Sequence, residues 1–397
     1  MLLPSLTLVA QEGVGALSLR RLAAAAGVSL SSLTYRFGKK EHLITQLIDA
    51  AHRQERMFWH AWTRRIEGVA GLSGTALADI AEAVVDGLTR DHPTRTLFFC
   101  ELVQASAWDD TVRAALGPWL ETRQAFWRQL CAAAAPHRAP PTVNLAALLH
   151  AYSIDETAFS LALGSHSPYA WLRKLTLRRL CGPRAPVAER AADLRLFQVF
   201  YDESAQLPDT VALDRAQLFH NPLEIKAMAH AAILIVRRGA EAVTHRAVAK
   251  AADVPVSTLA YHFRRQEDLL KAGLEGIIRQ MWRQLDSLPS ASSTVVPGDD
   301  AYSPAPIARG TFAIALAATR APELVACAAA MRRRRGENVN RYLTAKTGAP
   351  HDHDALTNQA FAMASLGQTM LAGEHPDQVA ATAAVVASLH AWLDPKN

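Results

Sequence analysis

Gly27-Val28-Ser29-Leu30-Ser31-Ser32-Leu33-Thr34-Tyr35-Arg36-Phe37 is the stretch on which the fold turns. Upstream, Ser18 precedes Leu19, Leu22, Ala23 and Ala26, the i, i+3, i+4, i+7 spacing of a helix with one apolar stripe. Ser18 can cap that helix through its side-chain oxygen, and Gly27 can end it in the left-handed region. Ser29 is a second N-cap. After it, Leu30, Leu33 and Phe37 share an apolar back. Ser31, Ser32 and Tyr35, flanked by Thr34 and Arg36, make the opposite front. Lys39 and Lys40 stand at the start of a third helix, continued by Leu43, Ile44, Leu47, Ile48 and Ala51.

Two short helices across a tight turn, the second with a polar front, form the helix-turn-helix pattern. Such a front suits the major groove. Hydroxyls and Arg36 can reach base edges or phosphates, and Tyr35 can reach a phosphate with its hydroxyl. An ordinary helical pair in a bundle has the same local pattern, and one copy does not separate the two readings.

The chain supplies a second copy. Gly239 to Leu270 aligns without a gap on Gly13 to Ile44, 226 residues earlier, with about 13 of 32 positions identical. That is an internal duplication. Thr244 replaces the Ser18 cap, and Val248, Ala249 and Ala252 repeat the stripe. Asp253 replaces Gly27 and tolerates the left-handed conformation less readily. Val254, Ser257, Leu259, Tyr261 and Phe263 then repeat Val28, Ser31, Leu33, Tyr35 and Phe37.

Both copies resemble the N-terminal DNA-binding domain of TetR-family transcriptional regulators. The residues that carry the resemblance are Gly27-Val28-Ser29, Leu33-Thr34-Tyr35-Arg36-Phe37 and Lys40-Glu41-His42-Leu43. Their counterparts are Asp253-Val254-Pro255, Leu259-Ala260-Tyr261-His262-Phe263 and Gln266-Glu267-Asp268-Leu269. The resemblance covers about 50 residues of each copy. It implies an all-α chain of two tandem TetR-like units, each a DNA-binding domain followed by a helical ligand and dimerisation domain. It implies DNA contact by Ser18, Ser31, Ser32, Thr34, Tyr35, Arg36 and Lys40 in the first head. In the second head it implies Thr244, Ser257, Thr258, Tyr261 and His262, with Arg264 or Arg265 standing in for the lysine that Gln266 replaces.

Composition agrees with helix nearly throughout. Half of the 397 residues are hydrophobic, alanine-rich runs abound, and length alone suggests two to four units. A net charge of +5 is compatible with nucleic acid and does not by itself indicate it. Cys100, Cys131, Cys181 and Cys327 form no Cys-x-x-Cys pair, so neither a metal site nor a disulfide framework is indicated, and reduced thiols in a cytoplasm are expected. Met1 to Ala10 lacks a charged leader and a cleavage site and reads as the first helix of a head, with a shorter lead-in than the second head has. The apolar stretch Ala305 to Met331 is broken by Arg309, Arg320 and Glu323, so a membrane is not a partner.

The expected domains are a first head at 1–50, a first helical body at 51–205, a linker at 206–222, a second head at 223–276 and a shorter second body at 277–397. Prolines 136, 140 and 141 mark a loop, and Pro289 to Pro306 another. Phe98, Phe99, Trp108, Trp119, Phe126 and Trp127 are either an effector pocket or a plain core stripe. Arg332 to Arg335 reads as a solvated helix face or a phosphate contact. His351-Asp352-His353-Asp354 reads as a polar loop capping the next helix, in preference to a metal site.

Members of the resembled family bind DNA as symmetric dimers, so two heads on one chain imply a pseudo-dimeric monomer, with further self-association open. Its bundle would come from 143–180 and 355–393. The expected function is a transcriptional regulator, a repressor released by a small-molecule effector, acting on a double-stranded DNA operator with unequal half-sites and needing no cofactor. A helical scaffold that has lost DNA binding is the alternative. An enzyme is disfavoured: the chain has no Gly-rich phosphate loop, paired-carboxylate motif or nucleophile elbow.

Overall fold

A computed structural model of the chain describes residues 1–134, 143–183, 185–205, 221–286, 304–372 and 376–393. Among them are nineteen α-helices and no β-strand, only a single bridge between Leu72 and Ala134. None of the helices is long and apolar enough to cross a membrane. The loop at prolines 136, 140 and 141 lies outside the described residues, as does the linker apart from residues 221 and 222. So does the loop expected from Pro289, apart from Pro304 to Pro306, which begin a helix.

The first head comprises α1 (Leu2–Glu12), α2 (Leu19–Ala26) and α3 (Leu30–Phe37), and α4 (Lys40–Ile66) leads out of it. Five helices follow: α5 (Gly74–Asp86), α6 (Pro93–Ala105), α7 (Asp110–Ala132), α8 (Leu145–Leu163) and α9 (Ser167–Cys181). An extra helix, α10 (Val187–Ser204), lies on α9. The second head has α11 (Pro222–Arg238), α12 (His245–Ala252) and α13 (Val256–His262), with α14 (Gln266–Asp286) leading out. Then come α15 (Pro304–Ala318), α16 (Val325–Arg333), α17 (Val339–Thr347), α18 (Ala355–Leu371) and α19 (Pro376–Leu393).

The sequence from Pro322 to Thr347 reads as one continuous helix. The structure breaks it. Gly336 adopts φ +91, and a Cβ there would lie 2.5 Å from the Asn358 carbonyl carbon, so the chain turns tightly against α18. The break separates α16 from α17.

α8 is apolar on nearly every side and buried almost from end to end, because α6, α7, α9, α15 and α18 surround it. Its main partner is α18. The two helices approach so closely that a Cβ on Gly367 would sit 1.8 Å from the Ala151 carbonyl oxygen. α9 packs on α18, and α19 packs on both α8 and α18, so α8, α9, α18 and α19 form a four-helix assembly within one chain. Trp392 Nε1 donates to the Leu180 carbonyl at 3.1 Å, and Thr176 Oγ1 donates to Gln359 Oε1 at 2.9 Å. One apolar core runs through both halves of the chain.

The arginine run is neither a solvated face nor a phosphate contact, contrary to both expectations. Arg332 and Arg335 are buried and reach across to α8. Arg332 donates to Glu156 Oε2 at 2.8 Å, and Arg335 to Asp155 Oδ1 at 3.0 Å. Tyr152 also donates to Glu156, at 2.7 Å, and Tyr169 binds the same carboxylate. Arg333 lies over the Tyr201 ring, and Arg334 pairs with Glu337. Asp354, from the His-Asp-His-Asp loop, caps α18 by accepting from Thr357 N at 2.8 Å. That agrees with the capping expectation.

Gly367→Ala is the direct probe of the α8–α18 crossing. The added methyl must push backbone apart, and overpacking of this kind costs about 1–3 kcal/mol or more. Denaturant titration is expected to show that loss as a lower midpoint.

Candidate nucleic-acid interface

Each head is built by the same local devices. In the first, Ser18 accepts from Arg21 N at 3.3 Å and opens α2. Gly27 closes it with φ 65 and ψ 29, and Val28 N donates back to the Ala23 carbonyl at 3.0 Å. In the second, Thr244 accepts from Ala247 N at 3.1 Å. Asp253 adopts φ 52 and ψ 56, and Val254 N donates to the Ala249 carbonyl at 3.0 Å. Asp253 is the only non-glycine residue with positive φ among the described residues. The two turns therefore have the same geometry from different residues.

The recognition helices begin differently. Ser29 caps α3 by accepting from Ser32 N at 3.1 Å, and its hydroxyl also meets those of Ser31 and Ser32 at 2.9 and 2.8 Å. Pro255 occupies the matching position in α13 and offers no side-chain cap, only a preset φ of −61. They also end differently. Gly38 follows α3, whereas Phe263 leaves α13 in an extended conformation. His245 Nε2 donates to the Phe263 carbonyl at 2.6 Å and holds that end.

In α3, Leu33 and Phe37 are buried, while Ser31, Ser32, Thr34, Tyr35 and Arg36 are exposed, with Lys39 and Lys40 beside them. Arg36 stacks over the Phe37 ring. In α13, Leu259 and Phe263 are buried, Ser257, Tyr261, Arg264 and Arg265 are exposed, and Thr258 is half-buried. Tyr35 is 95% exposed and Tyr261 81%, far beyond what a large aromatic side chain shows in a packed core. Both hydroxyls are free to meet a ligand surface.

Three placements differ from the sequence reading. Leu30 was assigned to the apolar back, yet it is exposed, as is Val256 at the matching position. Both stand at the first turn, beyond the edge of the head's core, where an apolar contact with a thymine methyl is available. His262 does not sit freely on the front. Its Nδ1 donates to Glu224 Oε1 on α11 at 3.0 Å, and the ring is half-buried. The third difference is an omission. Arg20 and Arg246 are both exposed at equivalent positions near the start of α2 and α12. An identical cation kept at matching positions of two diverging copies was the signal that could have found them. Ser18 and Thr244 are half-buried beside these arginines and spend their oxygens on capping.

The two heads meet at equivalent points. The turn Val14–Ala16 of the first abuts the turn Ala240–Ala242 of the second. Deeper in the molecule α6 packs on α15 and α8 on α18.

The aromatic residues lie behind the first head. Phe98, Phe99, Trp119, Phe126 and Trp127 are buried, and Trp108 is partly buried. Phe99, Trp119, Phe126 and Trp127 come together around a buried ion pair between Glu55 of α4 and Arg123 of α7. Arg123 Nε donates to Glu55 Oε1 at 2.8 Å, and Trp119 and Trp59 add indole donors at 2.7 and 2.8 Å. Burial alone would raise the Glu55 carboxyl, but Arg123 and the indoles outweigh it and hold it below the ordinary value. The Arg123 guanidinium lies 3.4 Å from the Phe99 ring centre. Nearby, Trp127 Nε1 and His150 Nε2 are buried without a hydrogen-bond partner among the described residues. Burial, reinforced by Arg123, pushes the His150 imidazole down to about 3. No group of three or more candidate metal ligands occurs among the described residues.

A family model described as bacterial regulatory proteins, tetR family, matches residues 5–47 and again residues 227–272. The two matches fall on the two helix-turn-helix segments. No curated protein matches the chain.

Asp253 pays for its left-handed turn in strain, which glycine would relieve. Asp253→Gly is expected to stabilise the second head by up to about 1 kcal/mol. Amide exchange over α12 and α13 measures it. Unchanged protection would mean that the turn is unstrained.

Proposed function

Because the chain carries the DNA-binding domain of tetR-family regulatory proteins twice, in tandem, we propose that it is a sequence-specific transcriptional regulator whose two heads grip one DNA duplex. The observation that carries this reading is the pair of matching fronts, each projecting a bare tyrosine beside serines and cations. The phosphate-facing set is Arg20, Lys39, Lys40 and Tyr35 in the first head and Arg246, Arg264, Arg265 and Tyr261 in the second. The groove-facing set is Leu30, Ser31, Ser32, Thr34 and Arg36 against Val256, Ser257 and Thr258. His262, drawn toward Glu224, contributes less than Arg36 does.

In this reading the chain is its own dimer. The units follow the boundaries given above, 1–205 and 223–397, and the α8, α9, α18 and α19 assembly replaces the interface of two separate subunits. A two-fold arrangement would set the recognition helices in successive major grooves, about 34–36 Å apart.

Regulation by a small molecule is part of the proposal. Trp127 Nε1, beside the Trp59 and Phe126 rings, and the buried His150 Nε2 have no hydrogen-bond partner among the described residues and support a site in the first unit for a flat, mostly apolar effector carrying a hydrogen-bond acceptor. Its binding would shift α4 through Glu55 and release the DNA, which makes the protein a repressor.

The fronts differ where bases are read. Arg36 can hold a guanine bidentately, and nothing in the second head does the same from that position. Selection of bound duplexes from a random pool is expected to return an operator with two unequal half-sites. A perfect palindrome as the optimum would contradict the proposal.

A further inference from the structure

The first head is not held by its own unit alone. Arg320, in the turn that follows α15 of the second unit, donates from Nε to the Ala10 carbonyl at 2.9 Å and from Nη2 to the Val9 carbonyl at 3.0 Å. These are carbonyls in the last turn of α1, where the helix dipole favours a cation; the Val9 oxygen also accepts from Gly13 N at 2.8 Å. The same guanidinium pairs with Glu101 on α6. The other oxygen of Glu101 accepts from Val14 N at 3.3 Å. Val14 opens the turn that abuts the second head. Glu101 is buried and Arg320 largely so, which makes these charge-assisted bonds worth more than exposed ones.

The second head is fastened by other means. Its α11 packs on α15 of its own unit and lies tightly along α14 because Gly273 and Gly276 allow it. A Cβ on Gly273 would stand 2.8 Å from Ile235 Cδ1, and one on Gly276 would stand 2.9 Å from the Met228 carbonyl oxygen. The corresponding positions of the first unit are Leu47 and Ala50, so α1 cannot lie on α4 in the same way.

We propose that Arg320 is the positioning residue of the first head: with Glu101 it latches α1 to α15, so the second unit sets the orientation of the first unit's DNA-reading helices. Movement of α15 therefore reaches the second head directly, through α11 packed on it, and the first head in trans, through the latch. The latch stands on geometry alone, and its effect on recognition rests on the DNA-binding reading above.

The test uses the full chain without DNA. Arg320→Met keeps the aliphatic stem and removes the fork. Amide exchange over residues 2–37 is expected to quicken by about tenfold or more, the loss a charge-assisted hydrogen bond implies, with residues 222–262 unchanged. Glu101→Ala is expected to give the same selective loosening. Exchange that rises equally over both heads, or over neither, overturns the latch. With DNA, Arg320→Met should relax base preference in the half-site of the first head only, and equal relaxation in both half-sites overturns control in trans. Selective loosening together with a wild-type chain that binds no duplex would refute the DNA-binding reading and leave the latch standing.

Discussion

Asp155 and Glu156 stand side by side on α8, fully buried, and the rest of the molecule depends on what neutralises them. A buried carboxylate without a partner is severely unfavourable, and removing one member of a buried pair costs about 3–5 kcal/mol. Here the partners are Arg335 and Arg332, at 3.0 and 2.8 Å, and both come from the other half of the chain. Burial still raises the Asp155 carboxyl against the pull of Arg335. These charges tie the first half of the chain to the second where α8 meets the end of α16 and the turn after it.

This constraint lets the halves diverge. Two identical subunits must keep identical heads, but two halves of one chain need only fit each other. The first head caps its recognition helix with Ser29 and keeps Arg36 exposed, stacked over the Phe37 ring. The second replaces the cap with Pro255, ties His262 to Glu224 and closes its helix with His245. The attachments diverge as well, through Arg320 and Glu101 on one side and Gly273 and Gly276 on the other. The matching turns of the two heads still meet each other, while the chemistry around them has become asymmetric.

The sequence revealed what is set by neighbours in the chain. The Ser18, Ser29, Thr244 and Asp354 caps and the left-handed Gly27 and Asp253 were legible, because each depends on a residue within a turn of itself. The all-helical fold and the duplicated heads were legible for the same reason, through periodicity and spacing. Features set by distant partners were not. Arg332 meets Glu156 across 176 residues, so a run of four arginines resembled a solvated face. The break at Gly336 answers to the backbone of α18, and the exposure of Leu30 to the edge of a core that helical periodicity does not locate. Within the interface, the tyrosines and serines were found by pattern, His262 was misplaced because Glu224 lies on another helix, and Arg20 and Arg246 were passed over because they stand outside the recognition helix.

If unlike halves of one chain replace two subunits, a single polypeptide should saturate a single operator. Sedimentation of the protein with a duplex carrying one selected site measures this directly. The account predicts one chain per duplex, with protection of two successive major grooves. Two chains per duplex, each protecting one groove, would contradict it.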